Sequence, residues 1–316
     1  MIRSILKRLF APKLFGPKML ADPYLYYARL RSVAPVNWAD DFGGWVLTRY
    51  ADVVTILRSP NTSSERHTIA QLQAGPENQA LNEIRAHSML NADDPRHTRL
   101  RLLVNKAFTP KTVEALAPFI RTFVDKALDA ARARGRMDVM ADLAFPLPVT
   151  VIAEMLGVPA EDRNRFKEWS DDSTAAIANL PANLSQEVLR KTVAAIEALK
   201  TYFRNIIAQR RAEPRDDLIS ALIKAQEEGD RLSDAELLAN CVLLLNAGHE
   251  TTTNLIGNGT LALLRHPDQL KRLRDDPSLV PTGVEELLRY DSPVQFTNRS
   301  PCRLDLAAPT LRRRRL

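Results

Sequence analysis

Leu243-Leu244-Leu245-Asn246-Ala247-Gly248-His249-Glu250-Thr251-Thr252-Thr253 places a carboxylate and three hydroxyls inside a run that otherwise reads as a buried helix. The helix opens at Ser233-Asp234-Ala235-Glu236, where the Ser side chain caps and the Glu three residues on reaches back. It runs to Arg265-His266, before Pro267, a length of roughly 50 Å at about 1.5 Å per residue. Leu237, Leu238, Val242, Leu243, Leu244 and Leu245 leave no polar face in its first half, the pattern of a helix buried on all sides. Its middle resists that pattern: Gly248 costs about 1 kcal/mol against Ala in a helix interior, and each Thr about half as much. A local conflict of this kind is expected at a functional site.

Gly248, Thr251, Thr252 and Leu255 follow i, i+3, i+4, i+7 and share one face, so a flat ligand would lie against the Gly backbone with a hydroxyl beside it. Thr251 at such a place bonds the carbonyl of Ala247, four residues back, and loosens the helix locally. Glu250 would have restricted hydration and a raised pKa if unpaired, which makes it a candidate proton donor. The same residues also fit a satisfied polar cluster between packed helices, and this stretch by itself leaves both readings open.

The chain of 316 residues is 45% hydrophobic, enough for a large core in one or two domains. Its net charge of +6 is concentrated: five of the 44 basic residues and one of the 38 acidic ones lie in 300–316. The remainder is close to neutral, which argues against a nucleic-acid-binding groove. Cys241 and Cys302 make neither a disulfide framework nor a zinc spacing, consistent with a reducing cytoplasm. Residues 1–21 form a basic, amphipathic arm, too short and too interrupted by Lys and Arg for a signal sequence or a transmembrane segment.

Asp22-Pro23 predicts a helix to about Arg31, followed by a hairpin of Val36–Trp38 and Trp45–Thr48 about the turn Asp40–Gly44, and a helix over Ala51–Arg58. Ser59 to Gln79 reads as a long functional loop. From Pro95 onward the periodicity predicts helices near 96–107, 112–134, 141–156, 160–178, 185–212, 216–227, 233–266, 268–275 and 281–290, punctuated by prolines. The fold class is mainly α with a small β-sheet, one domain over 22–299.

Three clusters remain. In Asp94-Pro95-Arg96-His97-Thr98-Arg99-Leu100-Arg101, with Pro95 as the first helical residue, His97 and Arg101 project from one face and suit a carboxylate or phosphate, or form a solvated basic face. Glu286 and Arg289 are an i, i+3 pair, and Arg299 ends the strand-like run Ser292–Arg299. Taken together these stretches resemble the cytochrome P450 family, the haem-thiolate monooxygenases, in their soluble bacterial form. Ala247-Gly248-His249-Glu250-Thr251-Thr252 is similar to the oxygen-activation motif, Glu286-Leu287-Leu288-Arg289 to the buried E-x-x-R ion pair, and the His97–Arg101 helix and Arg299 to the propionate ligands.

The resemblance implies a P450 fold and a b-type haem lying against Ala247 and Gly248, its propionates neutralised by His97, Arg101 and Arg299. It implies Thr251 as the hydrogen-bond donor beside dioxygen, Glu250 as the gate for protons, and hydroxylation of a hydrophobic small molecule. The loop 59–79 and the segment 173–183 would roof the substrate. Electrons would come from a ferredoxin-type or flavoprotein donor, to which Arg96, Arg99 and Lys106 would offer a basic patch.

The sequence departs from the family after Arg299. The iron ligand is a Cys thiolate in a Phe- and Gly-rich loop, which this sequence lacks. Cys302 has no such context, and Cys241 reads as a core thiol. The expectation is a C-terminally truncated, inactive P450, as from a pseudogene, with residues 300–316 out of frame. The alternative is a noncatalytic helical scaffold that binds a ligand or partner without haem. Translating the downstream DNA in the other two frames is expected to yield the Phe/Gly/Cys loop, and its absence from both would refute the frameshift.

Overall fold

Ser233 caps the central helix as its position predicts. In the computed structural model its hydroxyl accepts from the Glu236 amide at 3.1 Å, while Glu236 accepts from the Ser233 amide at 2.9 Å. The structure describes residues 19, 22–39, 44–65, 79–178, 185–227 and 232–301, in two units, 1–66 with 299–316, and 67–298.

In the first unit, Asp22 caps α1 (Pro23–Val33) by accepting from the Tyr24 amide, and Pro23 occupies the first turn, where it needs no donor. β1 (Val36–Ala39) and β2 (Gly44–Leu47) pair antiparallel, with Trp38 opposite Trp45 and their rings edge-to-face at 5.4 Å. After α2 (Tyr50–Arg58), β3 (Thr62–Ser63) pairs antiparallel with β4 (Ser300–Pro301). The strand expected over Ser292–Arg299 does not form. Ser292 and Gln295 instead bond nearby carbonyls, of Val294 at 3.1 Å and Ser292 at 2.8 Å, the local alternative to a sheet ladder. The turn at 40–43, most of the long loop (66–78), the tip of the expected roof (179–184) and the tail beyond 301 lie outside the described residues.

The second unit is helical: α3 (Gln79–His87), α4 (Arg96–Ala107), α5 (Pro110–Glu114), α6 (Ala117–Arg134), α7 (Pro146–Met155), α8 (Arg163–Ala178), α9 (Gln186–Ala212), α10 (Leu218–Glu227), α11 (Asp234–Arg265), α12 (Pro267–Asp275) and α13 (Val280–Tyr290). Two expected helices are divided at prolines. Pro118 sits in the first turn of α6 rather than in the interior of a helix continuous from 112, and Pro146 starts α7 after a wide turn over Met140–Ala144. Pro95 is the capping residue of α4, not its first helical one.

α11 is the axis of this unit, packed by α3, α7, α8, α9 and α13. Phe166, Leu199, Phe203, Leu222, Leu237 and Leu245 are fully buried in one continuous core that joins its first half to α4, α7, α8, α9 and α10. Among the described residues no helix is long and apolar enough to cross a membrane.

Ser233→Ala removes one half of the capping box and is expected to cost about 1 kcal/mol of stability, read from the urea midpoint with an unchanged slope.

Candidate active site

From Glu236 to Val242 every residue of α11 is buried. Two of them are polar, and each is fully used. Burial alone would raise the Glu236 carboxyl pKa, but the Arg99 guanidinium, 2.5 Å away, and the Ser233 amide bring it below its ordinary value. Asn240 accepts from the Met89 amide at 3.1 Å and donates to the Glu236 carbonyl at 2.7 Å, tying the turn before α4 to α11.

Beyond Val242 the helix opens on one side. Leu243, Ala247 and Thr251, four apart, are half-buried, exposed and half-buried, and form a strip along one face. This differs from the face expected from Gly248, Thr251, Thr252 and Leu255. Gly248 is turned to α7, where a Cβ would stand in ordinary contact, 3.5 Å from Ile152 Cγ1. The open backbone position is Ala247.

Thr251 Oγ1 donates to the Ala247 carbonyl at 2.6 Å, the back-bond expected from its placement. Its oxygen keeps its lone pairs free to accept. Glu250 is half-buried with no hydrogen-bond or ion partner among the described residues, and burial pushes its carboxyl pKa up. A carboxyl that takes up a proton readily therefore stands beside a hydroxyl on an open strip.

On α4, His97 lies 3.7 Å from Asp94, and Arg101 is exposed with no described partner, so two donors on one helix face are available to carboxylates. Arg99, between them, is committed to Glu236, and Arg96 reaches the Asn91 carbonyl at 3.4 Å. The basic patch expected of Arg96, Arg99 and Lys106 thus has two of its cations engaged within the fold. Arg299, in the first unit, donates to Ser64 Oγ at 2.5 Å.

Glu286 and Arg289 form their pair with both oxygens engaged, at 2.6 and 2.7 Å, but their side chains are 57% and 70% exposed. The burial expected of this pair is not found: the i, i+3 spacing makes the bond locally, and no described segment covers it. Cys241, the only described cysteine, has no exposed surface and a thiol pKa pushed up to about 12 by burial and by Asp217, so it stays protonated. Cys302 lies outside the described residues.

Sequence reasoning passed over His249. It is 2% exposed, with Nδ1 2.9 Å from Ser170 Oγ of α8. The only signal was a polar residue one position before Glu250 in an apolar helix.

The haem fit is therefore one-sided. Ala247 and Thr251 present an open strip and His97 and Arg101 present carboxylate donors, both as a haem requires, while the described residues supply no thiolate to iron. The family description "Cytochrome P450" matches residues 48–298. A cytochrome P450 of Priestia megaterium, CYP107DY1, is 38% identical over 311 residues, 93% of this chain and 74% of its own length. The vitamin D(3) 25-hydroxylase of Pseudonocardia autotrophica is 44% identical over 289 residues, 89% and 67%. Among solved structures, P450BioI in complex with an acyl carrier protein ligated to hexadec-9Z-enoic acid has a TM-score of 0.81 at 37% identity, over 90% of this chain and 72% of that one. CYP109E1 from Bacillus megaterium in complex with testosterone has a TM-score of 0.76 at 38% identity, over 89% and 70%. On these matches of sequence and fold, this chain belongs to the cytochrome P450 family.

Proposed function

We propose that the chain carries the proton-handling half of a haem-dependent monooxygenase that hydroxylates a hydrophobic small molecule in the cytoplasm, drawing electrons from a ferredoxin-type or flavoprotein donor. The observation that carries this reading is Glu250, half-buried and with no partner among the described residues, beside Thr251 where α11 opens after its sealed segment Glu236–Val242. A bound haem would supply the oxidation of the substrate. The chain's own residues do the rest. Arg101 and His97 neutralise the propionates with charge-assisted bonds. Leu243 and Ala247 give the strip an apolar wall that excludes water and suits a hydrophobic substrate. Glu250 would take up a proton from solvent, and Thr251, whose hydroxyl now bonds the Ala247 carbonyl, would be placed to pass it on into the open strip. The steroid-like compounds named with two relatives and the acyl chain named with a third support an apolar substrate.

We also infer that these 316 residues alone do not turn over, because Cys241 is sealed and protonated and Cys302 lacks the Phe- and Gly-rich context of the family's iron ligand. A second reading, a noncatalytic scaffold that folds and binds without haem, is favoured by the continuous core around α11, which needs no cofactor to close it. Cooperative urea unfolding of haem-free protein supports that reading, and a molten product removes it.

Haem added to the purified chain is expected to give no thiolate-type Soret band after reduction under carbon monoxide, and such a band would overturn the inactivity. Arg101→Ala is expected to weaken haem association about tenfold, as befits the loss of a charged hydrogen bond. A variant that titrates like the parent chain would remove Arg101 from the haem edge.

Glu250 sets a pH dependence. Its folded pKa lies above the unfolded value, so the folded state binds more protons between the two. Stability therefore falls as pH rises through that window and stays lower above it. Glu250→Gln is expected to raise the urea midpoint at about pH 7 and to leave it nearly unchanged at about pH 3, where both states hold the proton.

A further inference from the structure

The face of α11 turned away from the open strip carries a polar cluster that the proposed chemistry does not use. His249 is its centre. Nδ1 meets Ser170 Oγ, itself fully buried, at 2.9 Å, and Asp171 Oδ1 stands 3.6 Å away without a hydrogen-bond partner. The other Asp171 oxygen takes Lys167 Nζ at 3.0 Å, and that ammonium lies 4.8 Å over the Phe145 ring. The same ring meets the His249 imidazole edge-to-face at 5.4 Å. One turn earlier, Asn246 and Ser173 make a second polar link between α11 and α8, at 2.9 Å.

Burial holds the imidazole pKa below its ordinary value, with Lys167 acting in the same direction and Asp171 and the Phe145 carbonyl against it. His249 is therefore neutral at neutral pH and is held by hydrogen bonding rather than by an ion pair. A buried imidazole costs more to desolvate than a Leu of similar size, so its place here calls for something a Leu does not do.

The helix geometry supplies that something. At about 100° per residue, Ala247 and Thr251 each lie about 160° from His249, on either side of the point opposite it. The stretch 248–253 is weak by propensity, since Gly248 and the three consecutive Thr from Thr251 are poor helix formers. Its rotational setting is left to tertiary anchors, and His249 is a polar anchor within it.

We propose that His249 is a positioning residue, pinning the back of α11 to α8 through Ser170 so that the setting of Glu250 and Thr251 follows the position of α8. The proposal rests on the reading of Glu250 and Thr251 as the proton-handling pair.

Hydrogen–deuterium exchange on the full chain without haem tests it, so a failure to take up haem leaves the test intact. His249→Phe fills the space without a bond to Ser170 and is expected to speed exchange of the 250–255 amides at least about tenfold, with exchange in α9 unchanged. Ser170→Ala, a smaller change on the other helix, is expected to do the same. The double variant is expected to match either single one, and His249→Asn, which keeps a polar group near the Nδ1 position, to restore most of the protection. Exchange at 250–255 equal to the parent, loosening of all helices alike, or effects that add in the double variant would each overturn the proposal.

Discussion

Between Glu236 and Val242 the central helix has no free side, and two of the groups sealed there are polar. A buried carboxylate and a buried amide must find partners or destabilise the fold. Glu236 takes Arg99 from α4, and Asn240 takes the Met89 amide. These partners fix where α4 lies against the first turns of α11. Ala247, the exposed point of the open strip, lies about 16 Å along the same axis from Glu236. The helix proposed to offer carboxylate donors and the stretch proposed to handle protons are thus both referenced to one sealed segment, before any cofactor enters the account.

The two functional pairs share a geometry. His97 and Arg101 flank Arg99, and Ala247 and Thr251 flank His249. In each case the residue midway is tied to another helix, Arg99 to Glu236 and His249 to Ser170. Residues two before and two after a helical position straddle the side opposite it. A tether at the midpoint therefore turns both neighbours outward together. This holds a pair of side chains in a common direction through a bond that neither of them makes.

That arrangement also explains what the sequence discloses. The pairs stand out because residues four apart form a pattern within one helix, and the capping box at Ser233 and the back-bond of Thr251 are local for the same reason. The midpoint tethers do not stand out, because their partners are 137 and 79 residues away and no periodicity marks them. α3 was missed although Ala80, Leu81 and Ile84 carry a helical spacing, since the polar loop before it masked the start. The face carrying Gly248 is instructive: the glycine looks like an opening in the sequence, but its bare side is turned to Ile152 of a neighbouring helix. Only the packing distinguishes a glycine that admits a ligand from one that admits a helix.

Glu286 and Arg289 extend the same distinction to electrostatics. Their spacing guarantees the bidentate bond, and the bond is made. Its energetic meaning depends on cover, which spacing does not specify. In solvent such a pair contributes about 0–1 kcal/mol, whereas breaking one that is buried costs several. Glu250 is the opposite case: it has no bond, and its half-burial alone gives it a raised pKa. In this chain the charged groups with the best local geometry are therefore not the ones with the most altered chemistry. Reactivity gathers where burial outruns pairing, and among the carboxylates with a resolved shift in the described residues that condition is met at Glu250.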